Sequence, residues 1–284
     1  MEPICDLHVH SVYSDGTYTP QQLIRLAESS GISAIALCDH NTVAGLPEFL
    51  AAGKDSPVEA VPGIEFSADY DGGEIHILGL FIQKRHYEAV RQKLQQALQW
   101  KEQSNRELVE GLKKAGLPLD YDEICAANPG GNVNRAVIGA ELVRRGCCRD
   151  MKDAFSLYLN ESCGYFHPPR RLDALEVVRF IKSIGAVAVL AHPFLNLEEA
   201  ELRELLRQAV PAGLDAMEVY YPKFSPQQSA LSKKIAAEHG ILPSGGSDFH
   251  GENKPDIRLG TGRDNLKIPR SVLENLAARA AKCF

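Results

Sequence analysis

The chain has 284 residues, 44% hydrophobic and 24% charged, and its 31 basic against 37 acidic side chains leave a net charge of −6. That length suits one α/β barrel or a core domain carrying an insertion. The acidic balance argues against extended nucleic-acid binding, which draws on a basic excess, while leaving room for a local basic pocket. No apolar run reaches the roughly 20 residues of a membrane span. The N-terminus MEPICDLHVH lacks the basic and apolar regions of a signal peptide, and the seven cysteines show no Cys-x-x-Cys spacing, so free thiols in a reducing cytoplasm are expected.

Residues 4–9 read as a strand, and 20–30 as a helix with Thr19 as N-cap and Gly31 just past its end. Strands follow at 33–38 (SAIALC), 58–67 (VEAVPGIEFS) and 73–82 (GEIHILGLFI). From about 84 to 165 only helices are expected. The stripe Val90, Leu94, Leu98, Leu108, Leu112 marks a long one, a second covers 134–145 and ends at Gly146, and Asp150 caps a third running to Leu159. Strands at 186–191, 216–220 and 241–244 then alternate with helices at 173–183, 198–209 and 225–239. Such alternation implies an α/β fold with a mainly parallel sheet or barrel. The expected division is a barrel from 1–83 and 166–284, with 84–165 as a helical insertion subdomain.

Six stretches place a metal-capable residue at or just past a strand end. They are DLHVHSVYSDG (His8, His10, Asp15), LCDHNTVAG (Asp39, His40), PGIEFS (Glu65), GEIHILG (His76), AVLAHP (His192) and GGSDFHG (Asp248, His250). In a β/α barrel the C-terminal strand ends converge on one face, so these distant residues can meet there. A lone His after a strand is usually a satisfied polar residue. His8 and His10 say more, because the period of two puts both imidazoles on one face. Imidazoles with carboxylates and no thiolate fit Mn2+, Fe2+ or Zn2+, and the set is too large for one ion. Ionised Asp15, Glu65 and Asp248 supply −3 against +6 from three divalent ions; a phosphate dianion with a hydroxide would balance the remainder.

These motifs resemble the PHP family, the polymerase and histidinol phosphatase domains of the amidohydrolase superfamily. The resemblance runs over nearly the whole chain. It implies a distorted (β/α)7 barrel with up to three metals and a phosphoester-cleaving activity. On it, His8, His10, Glu65 and Asp248 correspond to one metal's ligands, Glu65, His76 and His192 to a second's, and Asp15, His40 and His250 to a third's. Asn41 departs from the Asp-His-Asp of many members and raises the question of a substrate contact. Asp39 is a candidate either to orient a ligand histidine or for a buried structural role.

The insertion resembles that of the small-molecule phosphoesterase branch. Activities there include release of the 3′-phosphate from nucleoside 3′,5′-bisphosphates and hydrolysis of a cyclic phosphate on phosphoribose. Both substrates carry a second phosphate at ribose C5. Arg135, at the start of an insertion helix, is the first candidate to grip it, followed by Arg171, Lys223 and Arg170. Ser247 and His167 are further candidate contacts. The HNT and GENKP stretches (40–42 and 251–255) favour phosphoribosyl 1,2-cyclic phosphate as substrate. Nucleoside 3′,5′-bisphosphate and then histidinol phosphate are the alternatives, and a nucleic-acid-processing or scaffold module is the reading from a different class. The expected partner is a small phosphate ester, with neither membrane nor extended nucleic acid. Trp100, His86 and His239 read as structural or solvated.

Overall fold

The computed structural model describes residues 3–128 and 133–281. They form two compact units, Met1–Arg91 with Leu172–Phe284, and Gln92–Arg171. The strands are β1 (Cys5–Val9), β2 (Ala34–Leu37), β3 (Glu59–Tyr70), β4 (Gly73–Leu80), β5 (Leu172–Asp173), β6 (Val187–Leu190), β7 (Ala216–Tyr220) and β8 (Leu242–Gly245). The helices are α1 (Pro20–Ser29), α2 (Leu46–Gly53), α3 (Tyr87–Lys114), α4 (Tyr121–Ala127), α5 (Arg135–Arg144), α6 (Met151–Ala154), α7 (Ala174–Ser183), α8 (Glu199–Ala212), α9 (Pro226–Glu238) and α10 (Arg270–Ala281).

The sheet runs β1-β2-β3-β4-β6-β7-β8, with short β5 beside β3. The segment after β8 returns to β1: Asp248 N–H donates to the His8 carbonyl (2.9 Å) and His10 N–H to the Phe249 carbonyl (3.0 Å). All pairings are parallel except those of β4, which is antiparallel to β3 and β6. The chain turns from β3 into β4 over Asp71 and Gly72, both with positive φ (52° and 79°). This two-residue Asp-Gly hairpin loop matches the twist of the strands it joins. The fold is α/β, a distorted (β/α)7 barrel whose inverted strand is the distortion, interrupted in sequence by a helical insertion.

Local chemistry sets the helix ends. Thr19 and Gln22 form a reciprocal cap at α1 with Pro20 in its first turn, and Ser225 with Gln228 does the same for α9. In β1, Cys5 and Leu7 join the apolar core. Asp6, His8 and His10, at the alternate positions, are also fully buried. α10, which the sequence reading passes over along with α2 and α4, adds Val272, Leu273 and Leu276 to the same core.

The helical unit has its own core of Leu108, Leu112, Ile124, Ile138, Leu142, Leu159 and Phe166. Asp120, Asn134 and Asp150 cap α4, α5 and α6 through their side chains. The helix expected to run on to Leu159 changes at Phe155 into a single wide turn over Phe155–Leu159. Among the described residues no helix is long and apolar enough to cross a membrane.

Candidate metal centre

Two glycines let the segments that carry these histidines and carboxylates approach each other. A Cβ on Gly246 would lie 2.2 Å from the His8 Cβ, so only glycine allows the β8 end to pass β1 this closely. A Cβ on Gly16 would lie 2.5 Å from the His10 carbonyl oxygen, so only glycine lets the loop carrying Asp15 fold back on the strand end. His192, Asp248 and Asn41 all sit at positive φ (25°, 56° and 51°). Such backbone is costly for a side-chain-bearing residue and gathers at functional sites.

Glu65, in β3, is fully buried and faces five imidazoles. Its Oε2 lies 3.0 Å from His40 Nδ1, 3.2 Å from His8 Nε2 and 3.3 Å from His10 Nε2. Its Oε1 lies 2.8 Å from His76 Nδ1 and 3.1 Å from His192 Nε2. Asp248 Oδ1 is 3.3 Å from His10 Nε2 and 3.4 Å from His250 Nδ1. Asp15 Oδ1 is 3.2 Å from His250 Nε2, and its Oδ2 is 3.8 Å from His40 Nε2. The structure thus brings together nine of the ten residues gathered from the strand ends, all but Asp39.

Three overlapping sets can each surround a cation: His10, Asp15, His40 and His250; His8, His10 and Glu65; and His40, Glu65 and His76. Within them His8 Nε2, both nitrogens of His10, His40 Nδ1 and Glu65 Oε2 are buried and make no hydrogen bond. They are close but not aligned as donors to acceptors. Inward-facing polar atoms without partners are what a bound cation satisfies. His8, His10 and Glu65 form a closed floor. Asp15, His40 and His76, with 38, 25 and 17% of their side chains exposed, form an open rim.

Burial alone would raise the Glu65 carboxyl, but the facing imidazoles of His40, His8 and His76 hold it well below the usual range. Burial likewise works against ionised Asp248, and the close approach of His10 with the neighbouring His8 and the Lys254 charge outweighs it. Asp15 is held low against burial by His250 and His40. Burial depresses imidazoles, yet Asp248 and Glu65 push His10 up to about 9, and Glu65 with Glu74 push His76 up to about 10. Burial wins at His40, which falls to about 3. Without cations, the carboxylates therefore hold protons on imidazoles that a metal ion would displace.

The supporting residues were not legible as such. Buried Glu218 of β7 accepts from His8 Nδ1 (3.1 Å) and from the His192 backbone N–H (2.7 Å). Its one sequence signal is a charge inside the apolar strand AMEVY. The Tyr221 hydroxyl and Lys254 Nζ both donate to Asp248 Oδ2, at 2.8 and 2.7 Å.

Asp39 orients no histidine. Its carboxylate takes the Ser11 N–H, the Ser11 hydroxyl and the Ser14 hydroxyl, and so fixes the loop that ends in Asp15. Ser247 is fully buried and gives its N–H and hydroxyl to Asp6, which rules out the expected phosphate contact in this arrangement. The Asn41 amide exchanges both its hydrogen bonds with Ser67 and ties β2 to β3. Arg135, expected to grip a phosphate, lies 4.2 Å over the Phe166 ring and donates to the Leu159 carbonyl, a packing place within the helical unit. His167 and Lys223 are exposed, and Arg171 is half-buried with contacts of its own.

An α/β barrel with clustered imidazoles and carboxylates at its strand ends defines a metal-dependent hydrolase. Residues 6–156 match the PHP domain, and the chain belongs to the PHP family. It is 33% identical to a 5′-3′ exoribonuclease of Haemophilus influenzae, over 86% of this chain and 89% of that protein. It is 28% identical to a 3′,5′-nucleoside bisphosphate phosphatase of Chromobacterium violaceum, over 96% of each. It is 29% identical to a phosphoribosyl 1,2-cyclic phosphate 1,2-diphosphodiesterase of Eggerthella lenta, over 87% of this chain and 94% of that one. A solved structure from Bifidobacterium adolescentis, described as a “putative metal-dependent phosphoesterase”, superposes with a TM-score of 0.82 at 26% identity, covering 98% of both chains. The chain is a metal-dependent phosphoester hydrolase.

Proposed function

We propose that His8, His10, Asp15, His40, Glu65, His76, His192, Asp248 and His250 hold two or three divalent ions, Mn2+ first among the candidates with Fe2+ and Zn2+ behind it. We further propose that the phosphorus attacked sits on ribose O3′ of a substrate that also carries a 5′-phosphate. The observation that carries this reading is the set of buried, partnerless ligand atoms around Glu65. Overlap of the three sets at His10, His40 and Glu65 supports neighbouring ions that share ligands. When bound, such ions supply Lewis-acid stabilisation of phosphoryl oxygens and a nucleophile active near neutral pH. The protein's own part is positional: Glu65 and Asp248 orient the imidazoles, and the Asp15, His40 and His76 rim leaves the side on which a phosphate enters. Lys254 adds a cation beside Asp248.

The exoribonuclease and the bisphosphatase share a chemical target. The first internucleotide phosphate of RNA and the 3′-phosphate of a nucleoside bisphosphate are both bonded to ribose O3′. They differ in whether the phosphorus carries another nucleoside. One site can serve both, and the negative overall charge suits a single-stranded end better than an extended duplex. Lys223 stays a candidate for the substrate's other contacts. A cytoplasmic setting belongs to the same reading, supported by six unpaired cysteines among the described residues.

The second reading is phosphoribosyl 1,2-cyclic phosphate, which the Eggerthella lenta relative supports. The stretches that first favoured it make frame contacts instead: Asn41 bonds Ser67, the Asn253 amide bonds the Asp15 carbonyl and Lys254 bonds Asp248. The test is a metal-stripped sample reloaded with Mn2+. It is offered a 5′-phosphorylated RNA oligonucleotide, a nucleoside 3′,5′-bisphosphate, phosphoribosyl 1,2-cyclic phosphate and histidinol phosphate. Turnover of the first two is expected. Turnover of only the cyclic phosphate or only histidinol phosphate would overturn the O3′ assignment.

A further inference from the structure

Glu218 is a charged side chain wholly inside the barrel unit, at the centre of β7, with both oxygens engaged. An ionised carboxylate only accepts hydrogen bonds. Its Oε1 faces His8 Nδ1 at 3.1 Å, which keeps a proton on Nδ1 and leaves Nε2 as the nitrogen that an ion would take. That Nε2 is buried, makes no hydrogen bond and points to within 3.2 Å of Glu65 Oε2.

Glu218 Oε2 takes the backbone N–H of His192 at 2.7 Å. His192 sits at φ 25°, a backbone state that persists only where its surroundings enforce it. Its ring lies nearly parallel to that of His8 (17° between planes), and its Nε2 reaches the other oxygen of Glu65 at 3.1 Å. One carboxylate therefore braces two imidazoles against opposite oxygens of Glu65, through a tautomer on one side and a backbone bond on the other.

We infer that Glu218 is a positioning residue for the metal centre. It sets the Nδ1–H tautomer of His8 and the turn of His192, so that the two rings present Nε2 to the ions on either side of Glu65. This inference rests on the ligand set proposed above. It adds that a residue outside that set controls affinity at the His8 and His192 positions, while the Asp15, His40 and His250 group is braced independently. Glutamine is the informative substitution. It keeps the shape but offers a single carbonyl oxygen where two donors converge, and turns its NH2 toward one of them.

The experiment compares wild type, E218Q and E218D after metal stripping. Mn2+ titration by calorimetry gives affinities, and 15N chemical shifts of the His8 ring in the Zn2+-loaded, diamagnetic protein show which ring nitrogen keeps the proton. Wild type is expected to show the Nδ1–H form. E218Q is expected to lose it and to bind Mn2+ about tenfold to a hundredfold more weakly, the usual cost of losing such a partner. E218D, which keeps both acceptors, is expected to recover part of that loss. Unchanged Mn2+ affinity in E218Q, or an unchanged His8 tautomer, overturns the inference. A merely structural role would lower the melting temperature in both states and leave both readouts in place. If wild-type protein itself takes up no Mn2+, the ligand set fails first, a result separable from failure of the brace.

Discussion

The metal-stripped protein should lose stability as pH rises above about 6.5, the ordinary imidazole value, and the metal-loaded protein should not. His10 is raised to about 9 and His76 to about 10 in the folded chain. A group whose folded pKa is raised contributes stability that is complete below its unfolded pKa and disappears as pH climbs through the folded one. For His10 the difference of about 2.5 units corresponds to about 3 kcal/mol at 1.36 kcal/mol per unit. His76 leans on the same Glu65, so the two contributions overlap and do not add in full. For a chain of this size 1 kcal/mol moves Tm by about 2–4 °C, which gives a fall of about 6–12 °C between pH 6.5 and 9. Bound divalent ions replace those protons, so the loaded curve should stay flat over that range. The assay is scanning calorimetry across pH 6–10, once in chelator and once with saturating Mn2+. Parallel curves with and without metal would refute the reasoning.

Glu65→Gln should weaken Mn2+ binding by at least a hundredfold and flatten the pH dependence of the stripped protein, because it removes the charge that faces five imidazoles; calorimetric affinity within threefold of wild type would contradict this. Gly246→Ala should disrupt the approach of the β8 end to His8, with a loss of about 2 kcal/mol or more in chemical denaturation, since the added Cβ would meet the His8 Cβ at 2.2 Å. Asp39→Ala strands three buried or half-buried donors on Ser11 and Ser14, so a cost of about 2 kcal/mol and a weakened Asp15 contribution to metal binding are expected from denaturation and Mn2+ titration. Arg135→Ala should cost about 1 kcal/mol through its lost aromatic contact and leave KM for phosphate-bearing substrates nearly unchanged; a severalfold rise in KM would restore the anion-gripping role.

What could be read without coordinates has a common cause. His8, His10, Asp15, His40, Glu65, His76, His192, Asp248 and His250 were found because strand ends are recognisable locally and polar side chains there are conspicuous. Other local signals take their meaning only from the structure. Asp71-Gly72 marks a hairpin, which makes β4 antiparallel in a barrel expected to be mainly parallel. Glu218 is a charge in the middle of an apolar strand. α2 and α4, with eight and seven residues, are too short to show a periodic stripe, whereas α10 has twelve and carries Val272, Leu273, Leu276 and Ala280 at helical spacing.

The sequence by itself determined the α/β class, the imidazoles and carboxylates at the strand ends and the chemistry those residue types can support, since each depends on a few neighbouring positions. Only the tertiary structure decided which atoms meet. Ser247 turned out to serve Asp6, Asp39 to serve Ser11 and Ser14, Arg135 to stack on Phe166, and Glu218 to join His8 to His192. Most of those pairings cross tens to hundreds of residues of chain. They are fixed by strand register and by close backbone approaches such as that at Gly246, which no local pattern encodes.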